Sequence, residues 1–222
     1  MRTSVIVKIA GAGTVCLAVV LAVLGGCASK APKNVDLSKS PNEGIAIFSV
    51  SHESEAGRGV TLMVYLDRDS NALGLSPPYR SVEEVAGIRT GSDFEDDYGR
   101  LEVVNLPAGR HSFSDWQISN GTGLRIFPGK GLQPLVFDIR PGSVVYLGDF
   151  HGITAVGRNL FGMKITGDGY PELRDSHQRD IPIFESKYPQ FRGKAELQLL
   201  PVGPWVGEEA KKRLDPTTPP TR

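Results

Sequence analysis

The stretch Pro141–Phe150, PGSVVYLGDF, decides the fold of this 222-residue chain. It opens with a Pro-Gly pair that is typical of a tight turn and then continues without another turn signal. In an extended strand the side chains alternate between two faces. Val144 and Tyr146 would then lie on one face, and Val145 and Leu147 on the other. A strand that is apolar on both faces is expected to be buried on both sides, so the stretch predicts a central strand of a β-sandwich.

Short apolar runs, separated by Gly, Pro and Asx turn signals, occur on both sides of this stretch. The 26 glycines and 16 prolines favour a turn-rich β protein over a helical one. The fold class predicted is mostly β: an antiparallel β-sandwich of about eight strands with one short helix. The predicted strands are Gly44–Val50, Thr61–Leu66, Arg100–Leu106, His111–Ile118, Gln133–Ile139, Ser143–Phe150, Phe161–Thr166 and Ala195–Leu200, whereas Val82–Arg89 is ambiguous between strand and helix.

The helix is expected within Leu173–Tyr188. Because Pro182 interrupts this segment, we expect the helix to be irregular or short and to begin at or after the proline. The folded domain is predicted over residues 43–202. The polar residues 27–42 read as a flexible tether, and the Pro-rich residues 203–222 as a disordered tail with room for one helical turn at Glu208–Leu214.

Two segments carry a resemblance to a known family. Leu106–His111, LPAGRH, and Pro141–Phe150 resemble bacterial lipoprotein domains of the transthyretin-like or carboxypeptidase-regulatory-like kind. The resemblance covers roughly residues 58–150 and implies a β-sandwich with no known catalysis. Pro107–Gly109 predicts a hairpin turn into His111–Ile118, because Pro presets φ and Gly tolerates the left-handed conformation, and the resemblance implies the same hairpin. The sequence departs from the pattern at His111, where the family has an aromatic Tyr.

The N-terminus has the pattern of a secretory signal, because a basic start is followed by the uncharged run Ile9–Leu24. The next residues complete a match to the lipobox of bacterial lipoproteins: Leu24, Gly25, Gly26 and Cys27. The resemblance implies that residues 1–26 are a signal peptide and that Cys27 receives the lipid. An uncleaved transmembrane helix is the alternative, because the run approaches the roughly 20 residues that a span needs. Its glycines disfavour a helix.

The compartment follows from the same segment. Cys16 leaves with the signal, so Cys27 is the only mature cysteine and the domain must fold without a disulfide. Ala28 stands where Asp is associated with retention in the inner membrane, so the resemblance implies the outer membrane, with the domain facing the periplasm or the cell surface. Removing Arg2 and Lys8 from 25 basic and 25 acidic residues leaves a mature net charge of −2. We therefore expect no nucleic-acid partner.

No motif predicts a metal, a cofactor or a catalytic residue. The four histidines, His52, His111, His151 and His177, form none of the local zinc patterns. Gly123–Gly131 lacks the Ser or Thr of a phosphate-binding loop. His111, Ser114 and Asp115 lie close in sequence, but a catalytic triad is made by geometry rather than by sequence proximity.

Two acidic segments are interpreted as loops. Asp67–Asn71 imitates the start of a calcium loop, but Ala72 and Pro78 stand where Gly and Glu are needed. An Asx-rich turn is the interpretation, with a weak calcium site as the alternative. Asp93–Asp97 is interpreted as a solvated acidic loop first and a cation site second.

The sequence therefore predicts a membrane-anchored lipoprotein of the cell envelope, held by acyl chains such as palmitate on Cys27. Its domain is expected to be a non-enzymatic binding or structural module for an envelope protein or a glycan. Two alternatives stay open. An envelope hydrolase would need a cleft that brings together dispersed residues such as Asp149 and His151, and a metal-dependent accessory protein would need dispersed ligands.

Overall fold

A computed structural model describes residues 29–53, 60–67, 78–82, 84–85, 88–89, 91–120, 123–158 and 164–214. The predicted signal peptide and Cys27 lie outside the described residues. Among the described residues, no helix combines the length and the apolar composition that crossing a membrane requires.

The described chain is built mainly of β-strands, and each of the eight predicted strands overlaps one of them. The strands are β1 (Ser29–Lys30), β2 (Glu43–Glu53), β3 (Thr61–Leu66), β4 (Tyr79–Arg80), β5 (Glu84–Val85), β6 (Ile88–Arg89), β7 (Asp97–Pro107), β8 (Gly109–Ser119), β9 (Arg125–Ile126), β10 (Leu135–Ile139), β11 (Val144–Arg158), β12 (Lys164–Arg174), β13 (Glu196–Leu197) and β14 (Gly203–Pro204). The helices are α1 (His177–Lys187) and α2 (Glu208–Leu214), with 3-10 turns at Leu37–Lys39 and Pro189–Phe191.

The strands form two main sheets. The large sheet has the order β1-β7-β2-β11-β12-β14, with β13 beside β11, and the small sheet has the order β10-β8-β3-β4, with β9 beside β8. The mostly β, two-sheet class is thus confirmed. The prediction of an antiparallel sandwich is wrong at the centre of the large sheet, because β2 and β11 pair in parallel. The chain between them passes through the small sheet, and a parallel pair requires such a long connection.

The two predicted turns both carry the chain from one sheet to the other. Pro107–Gly109 is not the hairpin that the resemblance implied, because β7 belongs to the large sheet and β8 to the small one. The Arg140–Gly142 tight turn is confirmed, since the Ser143 amide donates to the Arg140 carbonyl at 3.0 Å. Gly142 has φ +72°, the left-handed conformation that glycine adopts without cost.

The central strand β11 is buried on both faces, as its sequence predicted. Val145 and Leu147 pack in the sandwich core between the two sheets. Val144 and Tyr146 pack in a second core on the opposite face of the large sheet, beneath α1. Full burial of such a side chain contributes about 1.5–3 kcal/mol. The described residues therefore form three layers: the small sheet, the large sheet and a helical cover.

Helix α1 begins before Pro182, so the expectation that it starts at or after the proline is wrong. Pro182 cannot donate to the carbonyl of Gln178, four residues earlier. Gln178 is exposed, so water can bond to this carbonyl. The buried side of the helix, Asp180 and Phe184, keeps its contacts with the sheet.

Both boundaries of the domain extend beyond the predicted residues 43–202. In the segment predicted as a tether, Ala31 is buried and its amide donates to the Val103 carbonyl at 2.8 Å. In the segment predicted as a disordered tail, Trp205 is buried, its carbonyl accepts from the Trp116 indole at 2.8 Å, and β14 pairs with β12. Ala31 and Trp205 are buried although both segments are polar in composition. Composition alone therefore did not predict that these segments pack onto the domain.

Candidate functional site

A buried polar cluster lies on the helix-covered face of the large sheet. Ser49 and Ser51 project from β2, and Asp149 and His151 project from the neighbouring stretch of β11. All four are at most 1 % exposed. Polar groups buried at this level must find partners within the protein.

A β-bulge in β11 brings the acid and the histidine to this face. The register with β2 runs from Tyr146 opposite Ile47 to Gly148 opposite Phe48, so one residue of β11 is skipped. Gly148 has φ +120°, which only glycine adopts readily. If the side chains of β11 alternated strictly, with no bulge, Asp149 would share the face of Val145 and point into the sandwich core.

Arg179, in the first turn of α1, is the cationic centre of the cluster. Its Nη1 lies 3.0 Å from Asp97 Oδ2, its Nη2 lies 3.0 Å from Asp149 Oδ2, and its Nε lies 2.8 Å from Asp180 Oδ1. The guanidinium also lies 3.7 Å from the centre of the Phe94 ring. One planar fork thus joins three carboxylates from β7, β11 and α1.

Asp180 is fully buried and connects the helix to the sheet. Ser49 Oγ donates to its Oδ2 at 2.5 Å, and the Tyr146 hydroxyl donates to the same oxygen at 2.8 Å. Burial raises the pKa of Asp180, opposed by Arg179 and Ser49. Burial and then the Asp180 charge raise the pKa of Tyr146, so the phenol stays protonated as a donor.

Ser51, Asp149 and His151 are in contact but do not form a catalytic triad. Ser51 Oγ donates to Asp149 Oδ1 at 2.9 Å and lies 2.9 Å from His151 Nδ1. A hydroxyl has one proton, so Nδ1–H of a neutral His151 donates to Ser51. His151 Nε2 then carries a lone pair, and this buried atom has no partner among the described residues.

The environment of His151 also opposes its role as a base. Burial and then the charge of Arg174 lower its pKa. Asp97 lies 3.9 Å from the same Nδ1, and no acid among the described residues bonds Nε2, the second nitrogen through which the acid of a triad would orient an imidazole held in this way. Because Ser51 is fully buried, a substrate cannot reach its hydroxyl in this conformation.

Asp97, Asp149 and His151 each offer a ligand atom within 4.8 Å of the others, which is a spacing that a metal ion could bridge. However, the Arg179 guanidinium already bonds both carboxylates. Arg179 therefore already provides the positive charge that a metal ion would bring to these two carboxylates. Within the described part of the chain, no group of three histidines comes to metal-binding spacing.

The other residues considered from the sequence lie elsewhere. His111 Nδ1 lies 2.5 Å from Asp67 Oδ2, and its Nε2 lies 2.8 Å from the Pro107 carbonyl, so His111 bridges two connections. Asp115 accepts from the Trp116 amide. Of the calcium-like segment, Asp67 bonds His111, while residues 68–77 lie outside the described residues.

The acidic segment Asp93–Asp97 is not simply solvated, contrary to the first interpretation. Asp93 accepts from the Leu101 amide at 2.9 Å and from Lys187 at 2.5 Å, and Asp97 pairs with Arg179. Only Glu95 and Asp96 are exposed there. Long-range ion pairs to α1 hold this segment, and local sequence could not show them.

Three surface cavities lie away from the cluster. One of about 440 Å³ lies between the Asn34–Ser38 segment and Phe191. One of about 310 Å³ is lined by Phe127 and Tyr170, and one of about 390 Å³ by Arg80 and Arg125. None of the three is lined by a member of the polar cluster.

Comparisons with protein-family models, with curated proteins and with solved structures found no match.

Proposed function

We propose that this chain is a bacterial envelope lipoprotein, anchored by lipid on Cys27, whose sandwich domain binds or supports a partner rather than catalysing a reaction. The anchor is supported by the sequence Leu24–Cys27 after an uncharged apolar run. The outer membrane is the proposed location, because Ala28 follows the cysteine.

The proposal of a non-enzymatic role rests on one observation, which is that the side chains of the polar cluster bond one another. Arg179 bonds Asp97, Asp149 and Asp180, and each of these contacts joins α1 to the large sheet or stays within α1. A catalytic site needs groups that reach a substrate. These groups instead reach one another, which supports a structural role.

The opposing account treats Asp97, Asp149 and His151 as a metal site of an accessory protein or hydrolase, and the spacing of their ligand atoms favours it. Metal analysis of the purified protein after dialysis against Zn²⁺ or Mn²⁺ separates the two accounts. A structural cluster retains less than stoichiometric metal. One ion per chain, lost in Asp149→Asn and unaffected in Asp138→Asn on the exposed face of β10, would contradict it.

The anchor is tested by substituting each cysteine. Cys27→Ser should move the protein from the membrane fraction to the soluble fraction after a carbonate wash, because no thiol remains for the lipid. Cys16→Ser is the matched control, since Cys16 lies within the proposed signal and should leave the protein in the membrane. A Cys27→Ser protein that has lost residues 1–26 and still stays with the membrane would overturn the lipid anchor.

A further inference from the structure

We infer that the domain sits directly on the phospholipid surface, in one orientation, rather than at the end of a flexible tether. The inference rests on the proposed lipid at Cys27 and adds the surface that faces the bilayer. That surface, the anchor end, consists of Pro41–Asn42, Ala108–Gly109 and Pro141–Gly142.

The position of β1 sets how far the lipid can lie from the domain. Ser29 pairs with Asn105 of β7 and Lys30 with Val104. Only Ala28 stands between Cys27 and Ser29 in the sequence. Two peptide steps span at most about 7 Å. The lipidated cysteine therefore has to lie within that distance of the sheet.

The segment after β1 is held firmly enough to transmit this restraint. The Ala31 amide donates to Val103, and the Tyr188 hydroxyl donates to the Ala31 carbonyl at 2.8 Å. Gln190 Nε2 donates to the Lys33 carbonyl at 2.9 Å. Freeing the domain from the membrane would require breaking a β-ladder and these bonds together.

The direction of β1 selects which end of the sandwich faces the membrane. Because β1 and β7 are antiparallel, the chain going back from Ser29 towards Cys27 runs in the direction of Leu106 and Pro107. Backbone bonds gather the anchor end here: the Ala108 amide donates to the Asn42 carbonyl at 2.7 Å, and the Gly142 amide donates to the Glu43 carbonyl at 2.8 Å.

The chemistry of the anchor end suits a headgroup layer. Its six residues carry no charge, and the adjoining carboxylate, Glu43, is half-buried and accepts from Asn105 Nδ2 at 2.6 Å, so contact with lipid adds little to its desolvation. Lys39, Arg110 and Arg140 flank it and are exposed, within reach of lipid phosphates. Asp36 lies 3.7 Å from Lys39, and Glu196 pairs with Arg140, so the attraction is modest and the lipid chain supplies the affinity.

Because the proposed lipid occupies Cys27, the only cysteine of the mature chain, a fluorophore can be attached selectively to a newly introduced cysteine. The lipidated full-length protein is reconstituted into phosphatidylethanolamine and phosphatidylglycerol vesicles that carry a nitroxide on the headgroup. A fluorophore is attached at Asn42→Cys in the anchor end, or at Asp96→Cys beside the other end of β7. Both positions are exposed. The eleven residues of β7 separate the two ends by about 36 Å.

The fluorophore at Asn42→Cys should lose more than half of its emission, and the one at Asp96→Cys should lose little. A Gly/Ser linker of about 20 residues inserted between Ala28 and Ser29 adds a reach of about 25 Å and should relieve the quenching at Asn42→Cys. Equal quenching at both positions in vesicle-bound protein, or no effect of the linker, would overturn the orientation alone. Protein that never binds vesicles would overturn the lipid anchor and the orientation together.

Discussion

Replacing Arg179 with Met tests whether the polar cluster stabilises the fold. The change keeps much of the apolar stem but removes the cation that bonds Asp97, Asp149 and Asp180. Asp149 is 1 % exposed and Asp180 is 0 % exposed, so both lose their ion-pair partner out of reach of solvent. Breaking a buried ion pair by removing one partner costs about 3–5 kcal/mol.

The loss of unfolding free energy can be measured by urea unfolding of the chain expressed without residues 1–27, using the fluorescence of the buried Trp116 and Trp205. A loss of about 3–5 kcal/mol corresponds to a fall in Tm of roughly 6–20 °C in a domain of this size. The loss should shrink in acid, because an unpaired buried carboxylate relieves its charge by taking up a proton. Arg179→Lys should lie between, since an ammonium cannot bond three carboxylates as the planar fork does.

Arg192→Met is the matched control, because Arg192 is exposed and follows the turn Pro189–Phe191. A surface change of this kind usually stays within about 0.5 kcal/mol. If Arg179→Met and Arg192→Met unfold at the same urea concentration, the cluster does not stabilise the fold and the structural reading of the site fails.

Three further predictions concern the bulge, His52 and the C-terminal segment. Gly148→Ala should lower the free energy of unfolding by about 1–3 kcal/mol, because φ is +120° and the added Cβ would lie 3.1 Å from the Arg174 carbonyl. Gly142→Ala is the control and should cost less in the same denaturation assay, because open space surrounds that position. A larger loss for Gly142→Ala than for Gly148→Ala would contradict the bulge geometry. Burial lowers the pKa of His52 from 6.5 to about 4, so the unfolded state binds the proton first and stability should fall by up to about 3 kcal/mol as the pH drops from 6.5 to 4. His52→Gln should flatten that slope, and an unchanged urea midpoint profile would refute it. Trp205→Ala should lower the free energy of unfolding by about 3–5 kcal/mol, since the ring is buried against Phe150. Val202→Ala, at a 65 % exposed position, should change it little. Equal effects of the two substitutions would instead support the disordered tail predicted from the sequence.

The central strand could be predicted because its evidence is local. Alternation in Val144–Leu147 reports burial on both faces, and the structure confirms it. The partners of the strand could not be predicted in the same way. Parallel pairing of β11 with β2 depends on the whole path of the intervening chain, and the corner at Pro107–Gly109 has the same local sequence whether it closes a hairpin or crosses between sheets.

The polar cluster was only partly foreseen. Asp149 and His151 stood out as residues that a cleft would have to bring together, and the structure does place them side by side with Asp97. Ser51 and Arg179 were missed, because 100 residues separate Ser51 from His151 and 130 separate Ser49 from Arg179. The available signal was an acid inside an apolar strand, next to a glycine that permits a bulge.

The direct test of the proposed anchor is the mass of the N-terminal peptide from protein extracted out of membranes. Trypsin should release Cys27–Lys30 as the first peptide, with acyl chains on its cysteine. A peptide from residues 1–26 still attached, or an unmodified Cys27, would contradict the lipoprotein assignment.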